Sequence, residues 1–206
     1  MNNSKTILED VFRKADSDYK YYNQLMDNIF GADFELPRFE IVSFEQFKND
    51  WIEAFDEYED KPEDVDEIKD IYNDIKFPVR GTAASAGYDI FSPINFYLKP
   101  GESIMIPTGI RVLMPNDMAF MIYPRSGLST KFRLIPKNLT AVIDADYAYA
   151  DNEGHIHMAM TNDGDKVVTV EKGKAFCQGI FTKYYTTYND SARGARRGGF
   201  GSTDKR

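Results

Sequence analysis

Beyond Phe77, short apolar runs alternate with turn signals, and this spacing constrains the fold more than any other feature of the chain. Segments rich in Gly, Pro, Asn and Asp recur at Lys99–Glu102, Met114–Asp117, Asn162–Asp165 and Glu171–Lys174. Because such segments favour tight turns, the runs between them are expected to be strands of an all-β sandwich or barrel. The expected strands include Ser103–Ile106, Met118–Tyr123, His155–Thr161, Val167–Val170 and Phe176–Phe181.

The first 76 residues have a helical pattern instead. Apolar residues recur at intervals of three and four over residues 5–30, which predicts a helix. A short extended run follows at Phe39–Val42. Ser43, with Gln46 three residues on, suits the N-cap of a second helix, and Pro62 suits the start of a third. Apolar stripes indicate the packing faces of these two helices: Phe44, Phe47, Trp51, Phe55 and Tyr58 on one, and Val65, Ile68, Ile71, Tyr72 and Ile75 on the other.

Charge divides the chain at the same place. Residues 1–76 contain 9 Lys/Arg and 21 Asp/Glu, a net charge of −12, whereas residues 77–206 contain 16 and 12, a net charge of +4. The second part can therefore hold a polyanion, and the first part would repel one. Binding of nucleic acid is not expected.

The composition also predicts a cytoplasmic protein. No stretch approaches the roughly 20 apolar residues that a membrane span needs. The N-terminus lacks the charged start and apolar stretch of a signal peptide. Cys177 is the single cysteine, so no intrachain disulfide can form and a buried thiol is expected. The two histidines, His155 and His157, would need further ligands to bind zinc, so ordinary strand positions are expected for them.

Two segments combine residues that suit phosphate chemistry. Arg125, Ser126 and Gly127 follow the end of a predicted strand, where Arg can bind phosphate oxygens and a Gly-containing turn can present backbone N–H groups. Asp144 and Asp146 alternate after an apolar strand and so share a face. One such carboxylate can act as a general base on a water molecule.

The C-terminal segment Arg193–Thr203 is the most specific of the candidate segments. Its glycines permit close approach of the backbone to a ligand, and its arginines supply positive charge. Phe200, set between glycines, offers a face for stacking. A disordered basic tail would not need that aromatic residue.

The chain from about Pro78 to Thr203 resembles the trimeric dUTP diphosphatase family, which has five ordered motifs. The similar segments are, in order, Ala86–Asp89, Pro124–Gly127, Val142–Tyr147 with Asn138 ahead of it, Gly173–Gln178 and Gly198–Thr203. Each is weak alone, but five in order at suitable spacing are a strong signal. The resemblance implies a mainly β fold, with a jelly-roll-like β-barrel, and a homotrimer with three active sites at the subunit interfaces.

The same resemblance implies hydrolysis of dUTP to dUMP and pyrophosphate with Mg²⁺, which limits uracil incorporation into DNA and supplies dUMP. Asp144 would activate the water that attacks the α-phosphorus, and Asp89 would hold Mg²⁺ through its water shell. Tyr147 would pack on the deoxyribose and exclude a 2′-hydroxyl. The other implied substrate-binding residues are Arg125, Ser126, Gly127 and Gln178 at the phosphates, Asn138 and Ile143 at the uracil, and Arg196, Phe200, Gly201, Ser202 and Thr203 in the C-terminal arm.

Three parts of the chain are therefore expected: an acidic helical region at residues 1–76, a barrel at 77–190, and a flexible Gly/Arg-rich arm at 191–206 that closes the active site. Two arrangements of the first part remain open. Phe39–Val42 can be the first barrel strand, so that the helices after it are an insertion, or the whole region can be an added module. The unusual insert suggests a phage or viral source.

Two other functions also remain open. A dCTP deaminase shares the fold, although Asp144, Tyr147 and Phe200 fit the diphosphatase better. A regulatory protein could instead use the nucleotide as a signal and bind a protein partner through residues 44–75.

Overall fold

The computed structural model describes residues 36–192, which are organised mainly as short antiparallel strands. The strands are β1 (Arg38–Ile41), β2 (Val79–Arg80), β3 (Tyr88–Phe91), β4 (Phe96–Leu98), β5 (Ser103–Pro107), β6 (Ile110–Leu113), β7 (Met118–Pro124), β8 (Leu134–Pro136), β9 (Ala141–Asp144), β10 (His157–Asn162), β11 (Val168–Val170) and β12 (Ala175–Lys183). The helices in this range are α1 (Phe44–Ala54), α2 (Pro62–Asn73), α3 (Ser126–Phe132) and a short 3₁₀ helix (Ala145–Tyr149). Within residues 36–192, no helix has the length and apolar character to cross a membrane.

The strands pair into sheets that enclose one apolar core. The largest sheet has the order β2-β3-β12-β7-β9, and the next has the order β5-β10-β8. β1 pairs with β6, and β4 pairs with β11. The mainly β fold is confirmed, and the strands predicted from turn spacing are present with ends that differ by one or two residues.

The core depends on close packing between neighbouring strands. Phe120 on β7 is fully buried. Gly179 on β12 leaves room for its ring, because a Cβ at that position would lie 2.1 Å from Cζ of Phe120. Further buried members of this core include Ile106, Ile122, Leu134, Met158, Met160, Val168 and Phe176. Any side chain at position 179 would therefore push an aromatic ring out of the core.

The extended run predicted at Phe39–Val42 is strand β1, and it packs on the barrel. β1 pairs with β6 along its length. The ring centroid of Phe39 lies 5.3 Å from that of Phe120 and 5.6 Å from that of Phe181. In the chain, α1 and α2 therefore lie between two barrel strands, β1 and β2. The division of the whole chain into domains stays a prediction, and the helix expected at residues 5–30 lies outside the described residues.

The two helices after β1 begin where the sequence predicts them, but they are shorter: α1 ends at Ala54 and α2 at Asn73, so Phe55, Tyr58 and Ile75 lie beyond the helix ends. Oγ of Ser43 accepts a hydrogen bond from the backbone N–H of Gln46, at 3.2 Å. Pro62 occupies the start of α2, where its missing N–H has no intrahelical partner to lose. The helices share a second apolar core of Val42, Phe47, Trp51, Ile68 and Ile71. Trp51 is 1 % exposed, so Trp51→Ala would cost about 3–5 kcal/mol of stability.

Candidate active site

Three of the segments singled out in the sequence meet at one end of the largest sheet. β12 lies between β3 and β7, and its Gln178 faces Asp89 on one side and Tyr123 on the other. Arg125 follows directly after β7. The strand order thus gathers residues that are far apart in sequence. We call Asp89, Arg125, Ser126, Gly127 and Gln178 the Arg125 end of the sheet.

Direct contacts hold the side chains of the Arg125 end next to one another. Nε of Arg125 lies 3.2 Å from Oδ1 of Asp89, and the two side chains are 43 % and 21 % exposed. Nε2 of Gln178 donates a hydrogen bond to the carbonyl oxygen of Pro124 at 3.3 Å. A Cβ at Gly87 would lie 2.8 Å from Oε1 of Gln178, so a side chain there would displace the amide. The guanidinium is therefore oriented yet accessible to a ligand.

A cavity of about 620 Å³ opens beside Arg125. The segment Arg125–Gly127 lines it, together with Lys131 of α3 and Lys174, which precedes β12. Glu171 is the acidic residue among the described residues of this lining. Three cations near one carboxylate favour an anionic ligand. The volume lies within the range of about 300–1,000 Å³ that small-molecule sites occupy.

Sequence reasoning did not single out the two lysines of this cavity. Lys174 lies inside the fourth similar segment, so that segment held a signal for it. Lys131 has no such signal. It reaches the cavity because α3 lies near Thr169 and Val170 of β11, and that approach is a matter of tertiary structure.

The third similar segment lies on and after β9. Asp144 ends the strand and is the N-cap residue of the 3₁₀ helix. Its side chain is half-buried, and Asp146 is exposed. Ile143, one residue earlier, is half-buried, and Asn138 is exposed in the turn before β9. We call Asp144, Asp146 and Tyr147 the Asp144 end of the sheet.

Tyr147 is held from inside the protein. It is 6 % exposed. Its hydroxyl donates a hydrogen bond to the carbonyl oxygen of His155 at 2.8 Å and accepts one from Nδ2 of Asn152 at 2.8 Å. Because these bonds hold the hydroxyl inside the protein, the ring is the part of Tyr147 that can contact a ligand.

The Arg125 end and the Asp144 end lie far apart in one chain. The antiparallel pairing of β7 with β9 places Ala119 opposite Asp144, whereas Arg125 lies six residues beyond Ala119. At about 3.4 Å per residue, roughly 20 Å separates Arg125 from Asp144 along the strand. One phosphate group cannot contact both residues of the same chain.

The remaining predicted site residues belong to the C-terminal arm. Arg196, Phe200, Gly201, Ser202 and Thr203 lie outside the described residues. Their roles stay predictions, as do the roles assigned to the residues of both ends.

The two histidines belong to a cluster that sequence reasoning did not predict. Oδ2 of Asp50, from α1, lies 2.5 Å from Nδ1 of His155 and 3.2 Å from Nε2 of His157. His157 begins strand β10 as predicted, whereas His155 precedes that strand, and α1 brings a carboxylate to both histidines. Burial alone would raise the pKa of Asp50, but hydrogen bonds with His155, His157 and Gln46 lower it below its ordinary value.

Cys177 is the buried thiol that the sequence predicts. It lies on β12 and is fully buried. Burial raises the pKa of this thiol well above its ordinary value, so the thiolate needed for nucleophilic chemistry is disfavoured.

Known proteins resemble this chain in sequence and in fold. The family model described as dUTPase matches residues 73–204. The deoxyuridine 5′-triphosphate nucleotidohydrolase of Lactococcus lactis is 40% identical over 132 residues, which cover 63% of this chain and 88% of that one. The crystal structure of a dUTPase from Streptococcus mutans aligns with a TM-score of 0.51 at 27% identity, covering 72% of this chain and 97% of that one.

A phage protein is similar in fold alone. A mutant dUTPase from phage phi11 of S. aureus, in which a structural Mg(II) ion is coordinated, aligns with a TM-score of 0.52 at 18% identity and covers 78% of this chain and 98% of that one. The family match extends over more than half of the present chain. It includes β2 to β12, the Arg125 end and the Asp144 end. This chain belongs to the dUTPase family.

Proposed function

We propose that this chain hydrolyses dUTP to dUMP and pyrophosphate at active sites shared between the subunits of a homotrimer. The observation that carries the proposal is the distance between the Arg125 end and the Asp144 end, roughly 20 Å along β7. The Arg125 end offers groups that bind phosphate, and the Asp144 end offers a carboxylate that can take a proton from water. The Asp144 end of one subunit placed against the Arg125 end of the next completes a site, and cyclic symmetry repeats it at each interface.

The Arg125 end binds the triphosphate. The partly exposed guanidinium of Arg125 can bind two phosphate oxygens, and Ser126 presents a hydroxyl beside it. Gln178 orients the site through its hydrogen bond to the carbonyl oxygen of Pro124, the residue before Arg125. Lys131 and Lys174 add positive charge to the same cavity. The site therefore favours a nucleotide with several phosphates over a nucleoside.

Mg²⁺ is the expected cofactor, and the donors present fit it. Mg²⁺ commonly binds proteins through one or two carboxylates, with waters and substrate phosphates as its other ligands. Asp89 is the carboxylate at the Arg125 end and is 21 % exposed. We assign it contact through water, because Arg125 already lies against one of its oxygens. When bound, the ion offsets the negative charge that develops on the leaving pyrophosphate.

The Asp144 end supplies the base. Asp144 accepts a proton from a water molecule while the oxygen of that water bonds to the α-phosphorus. The bond from the α-phosphorus to the bridging oxygen breaks, and pyrophosphate is released. Tyr147 packs its ring on the deoxyribose. Because its hydroxyl is anchored, the ring cannot swing aside to admit a 2′-hydroxyl. Asn138 and Ile143 lie at the uracil edge.

We further propose that the C-terminal arm closes each site. Phe200 stacks on the uracil, while Ser202, Thr203 and Arg196 contact the γ-phosphate and Gly201 allows the backbone to approach. Closure would exclude water other than the nucleophile. The cytoplasm is the proposed location.

A second, regulatory role rests on the acidic helices. Residues 44–76 contain 4 Lys/Arg and 13 Asp/Glu, a net charge of −9. Such a surface suits a basic protein partner bound through residues 44–75 and disfavours nucleic acid.

Product analysis tests these functions together. The protein is incubated with Mg²⁺ and, separately, dUTP, dCTP, dTTP or UTP, and the nucleotides and pyrophosphate are quantified. We expect dUMP and pyrophosphate in equal amounts from dUTP, and little from the others. Release of ammonia from dCTP would indicate a deaminase. Binding of dUTP without turnover would favour a purely regulatory protein.

A further inference from the structure

Helix α1 contacts the segment Asn152–His157, which follows the Asp144 end in the chain. At its N-terminus, the backbone N–H of Ser43 donates a hydrogen bond to Oε2 of Glu153 at 2.8 Å, and Oγ of Ser43 donates one to Oε1 at 2.6 Å. A carboxylate from 110 residues away therefore helps to cap this helix.

About two turns further along α1, Asp50 makes the second contact with that segment. It lies beside His155 and His157 at the distances given above. The side chain of His155 is fully buried, and that of Asp50 is 11 % exposed. An interaction with this little solvent is screened far less than a surface ion pair.

The hydrogen bonds of His155 define where its proton lies. The backbone N–H of Gly109 donates to Nε2 of His155 at 2.7 Å. Nε2 must therefore carry a lone pair, and in a neutral ring the proton is on Nδ1. Nδ1 then donates that proton to Asp50. The carboxylate thereby fixes the orientation of the imidazole.

A metal ion is the main alternative for this cluster, since ligand atoms of Asp50, His155 and His157 all lie within 4.8 Å of one another. Two observations oppose it. Nε2 of His155 is occupied by the N–H of Gly109, and Nδ1 carries the proton. Tetrahedral zinc with bonds of about 2.0–2.1 Å would hold its ligand atoms roughly 3.3 Å apart, whereas Nδ1 and the carboxylate are 2.5 Å apart. The geometry is that of hydrogen bonds.

The segment that α1 holds is also the one that holds Tyr147. The carbonyl of His155 and the amide of Asn152 bind the Tyr147 hydroxyl. Gly154 packs so closely on the 3₁₀ helix that a Cβ there would lie 2.6 Å from Cα of Ala148. A shift of this segment must therefore move Tyr147.

We propose that Asp50 is a positioning residue for Tyr147, acting through His155, so that the helical insertion tunes the discrimination between deoxyribose and ribose. The proposal rests on the proposed function, in which Tyr147 packs on the deoxyribose. Without the carboxylate, the Nδ1–H of His155 would be buried without its acceptor, and the segment would rearrange to satisfy it.

The test compares the efficiency, kcat/KM, for dUTP with that for UTP in Asp50→Ala, Asp50→Asn and wild type. The matched control is Glu53→Ala, which removes an exposed carboxylate from the same helix. We expect the dUTP-to-UTP ratio to fall on the order of tenfold in Asp50→Ala, within the ~10²-fold that a misplacement of ~1 Å can cost. Asp50→Asn should lie between wild type and Asp50→Ala, because its oxygen accepts the same proton in a weaker, neutral bond. Glu53→Ala should match wild type.

A merely structural role would lower turnover of both nucleotides equally and leave the ratio unchanged, which would overturn the proposal. If Asp50→Ala does not fold, Asp50→Asn decides: a ratio below wild type supports the proposal, and a wild-type ratio overturns it. Tyr147→Ala separates the two levels of the argument. If its ratio falls while the Asp50 variants keep the wild-type ratio, only the role of Asp50 fails. If Tyr147→Ala keeps the ratio, the role of Tyr147 at the deoxyribose fails, and the role of Asp50 fails with it. If the wild-type protein does not hydrolyse dUTP, the proposed function itself fails.

Discussion

Chains carrying Asp144→Asn and chains carrying Arg125→Ala, each inactive alone, should restore dUTP hydrolysis when they assemble together. Loss of the general base should reduce turnover about 10²–10⁴-fold. Loss of the guanidinium should reduce it about 10²–10³-fold, the usual effect of removing one group that stabilises developing charge. Each variant alone should therefore retain about 1 % of wild-type activity or less.

The expected recovery follows from the separation of the two ends along β7. A shared site takes its Asp144 end from one subunit and its Arg125 end from another. In a cyclic trimer that contains both chains, one of the three interfaces joins an intact Asp144 end to an intact Arg125 end, so about a third of the sites are intact. Activity per site should then be about 33 % of wild type, far above either variant alone.

The assay uses the two chains co-expressed with different affinity tags and purified through both tags, so that every oligomer contains both. Pyrophosphate release from dUTP is measured, and sedimentation confirms the oligomeric state. Co-expressed wild type with each variant gives the reference values. Mixed oligomers no more active than the single variants would refute the shared site, and with it the interpretation of the two separated ends.

Three further outcomes are expected. Burial lowers the pKa of His155, although its hydrogen bond to Asp50 opposes this. Around the ordinary value of 6.5, the unfolded state therefore binds more protons than the folded state. The free energy of unfolding should decrease from pH 7.5 to 5.5, and the decrease should be smaller in His155→Gln. Gly154→Ala should lower the free energy of unfolding by about 1–3 kcal/mol, because position 154 has φ of +73° and no room for a Cβ; denaturant titration would measure it. Deleting Arg193–Arg206 should leave a folded oligomer of unchanged sedimentation that hydrolyses little dUTP, and full activity would contradict closure by the arm.

The regular parts of the fold could be predicted because their signals are local. Turn segments such as Lys99–Glu102 bound the strands, and an alternation of half-buried and buried side chains marks β10. Ser43 and Pro62 mark helix starts, and both helices begin there. The Arg125 and Asp144 segments were found by resemblance, which carries information that periodicity lacks.

The cluster around Asp50 could not be predicted, because it joins residues 105 positions apart. In the sequence, Asp50 is one of three acidic residues on α1, and nothing local distinguishes it from Glu53. The two histidines alone lack the ligands for zinc, which is why they looked like ordinary strand residues. Only the packing of α1 on the barrel shows that one carboxylate of that helix faces inward.

A shared active site also determines in which chain a change to α1 should act. Asp50 belongs to the same chain as the Tyr147 it is proposed to position, whereas Arg125 of that site belongs to a neighbour. In the mixed oligomers, every intact site takes its Asp144 end from the Arg125→Ala chain. Adding Asp50→Ala to that chain should therefore lower the dUTP-to-UTP ratio of the mixture about as much as it does in the uniform oligomer. Adding it to the Asp144→Asn chain should leave the ratio unchanged, because that chain contributes no working base. Equal effects from both placements would mean that α1 acts across a subunit boundary or through overall stability, and not through the Tyr147 of its own chain.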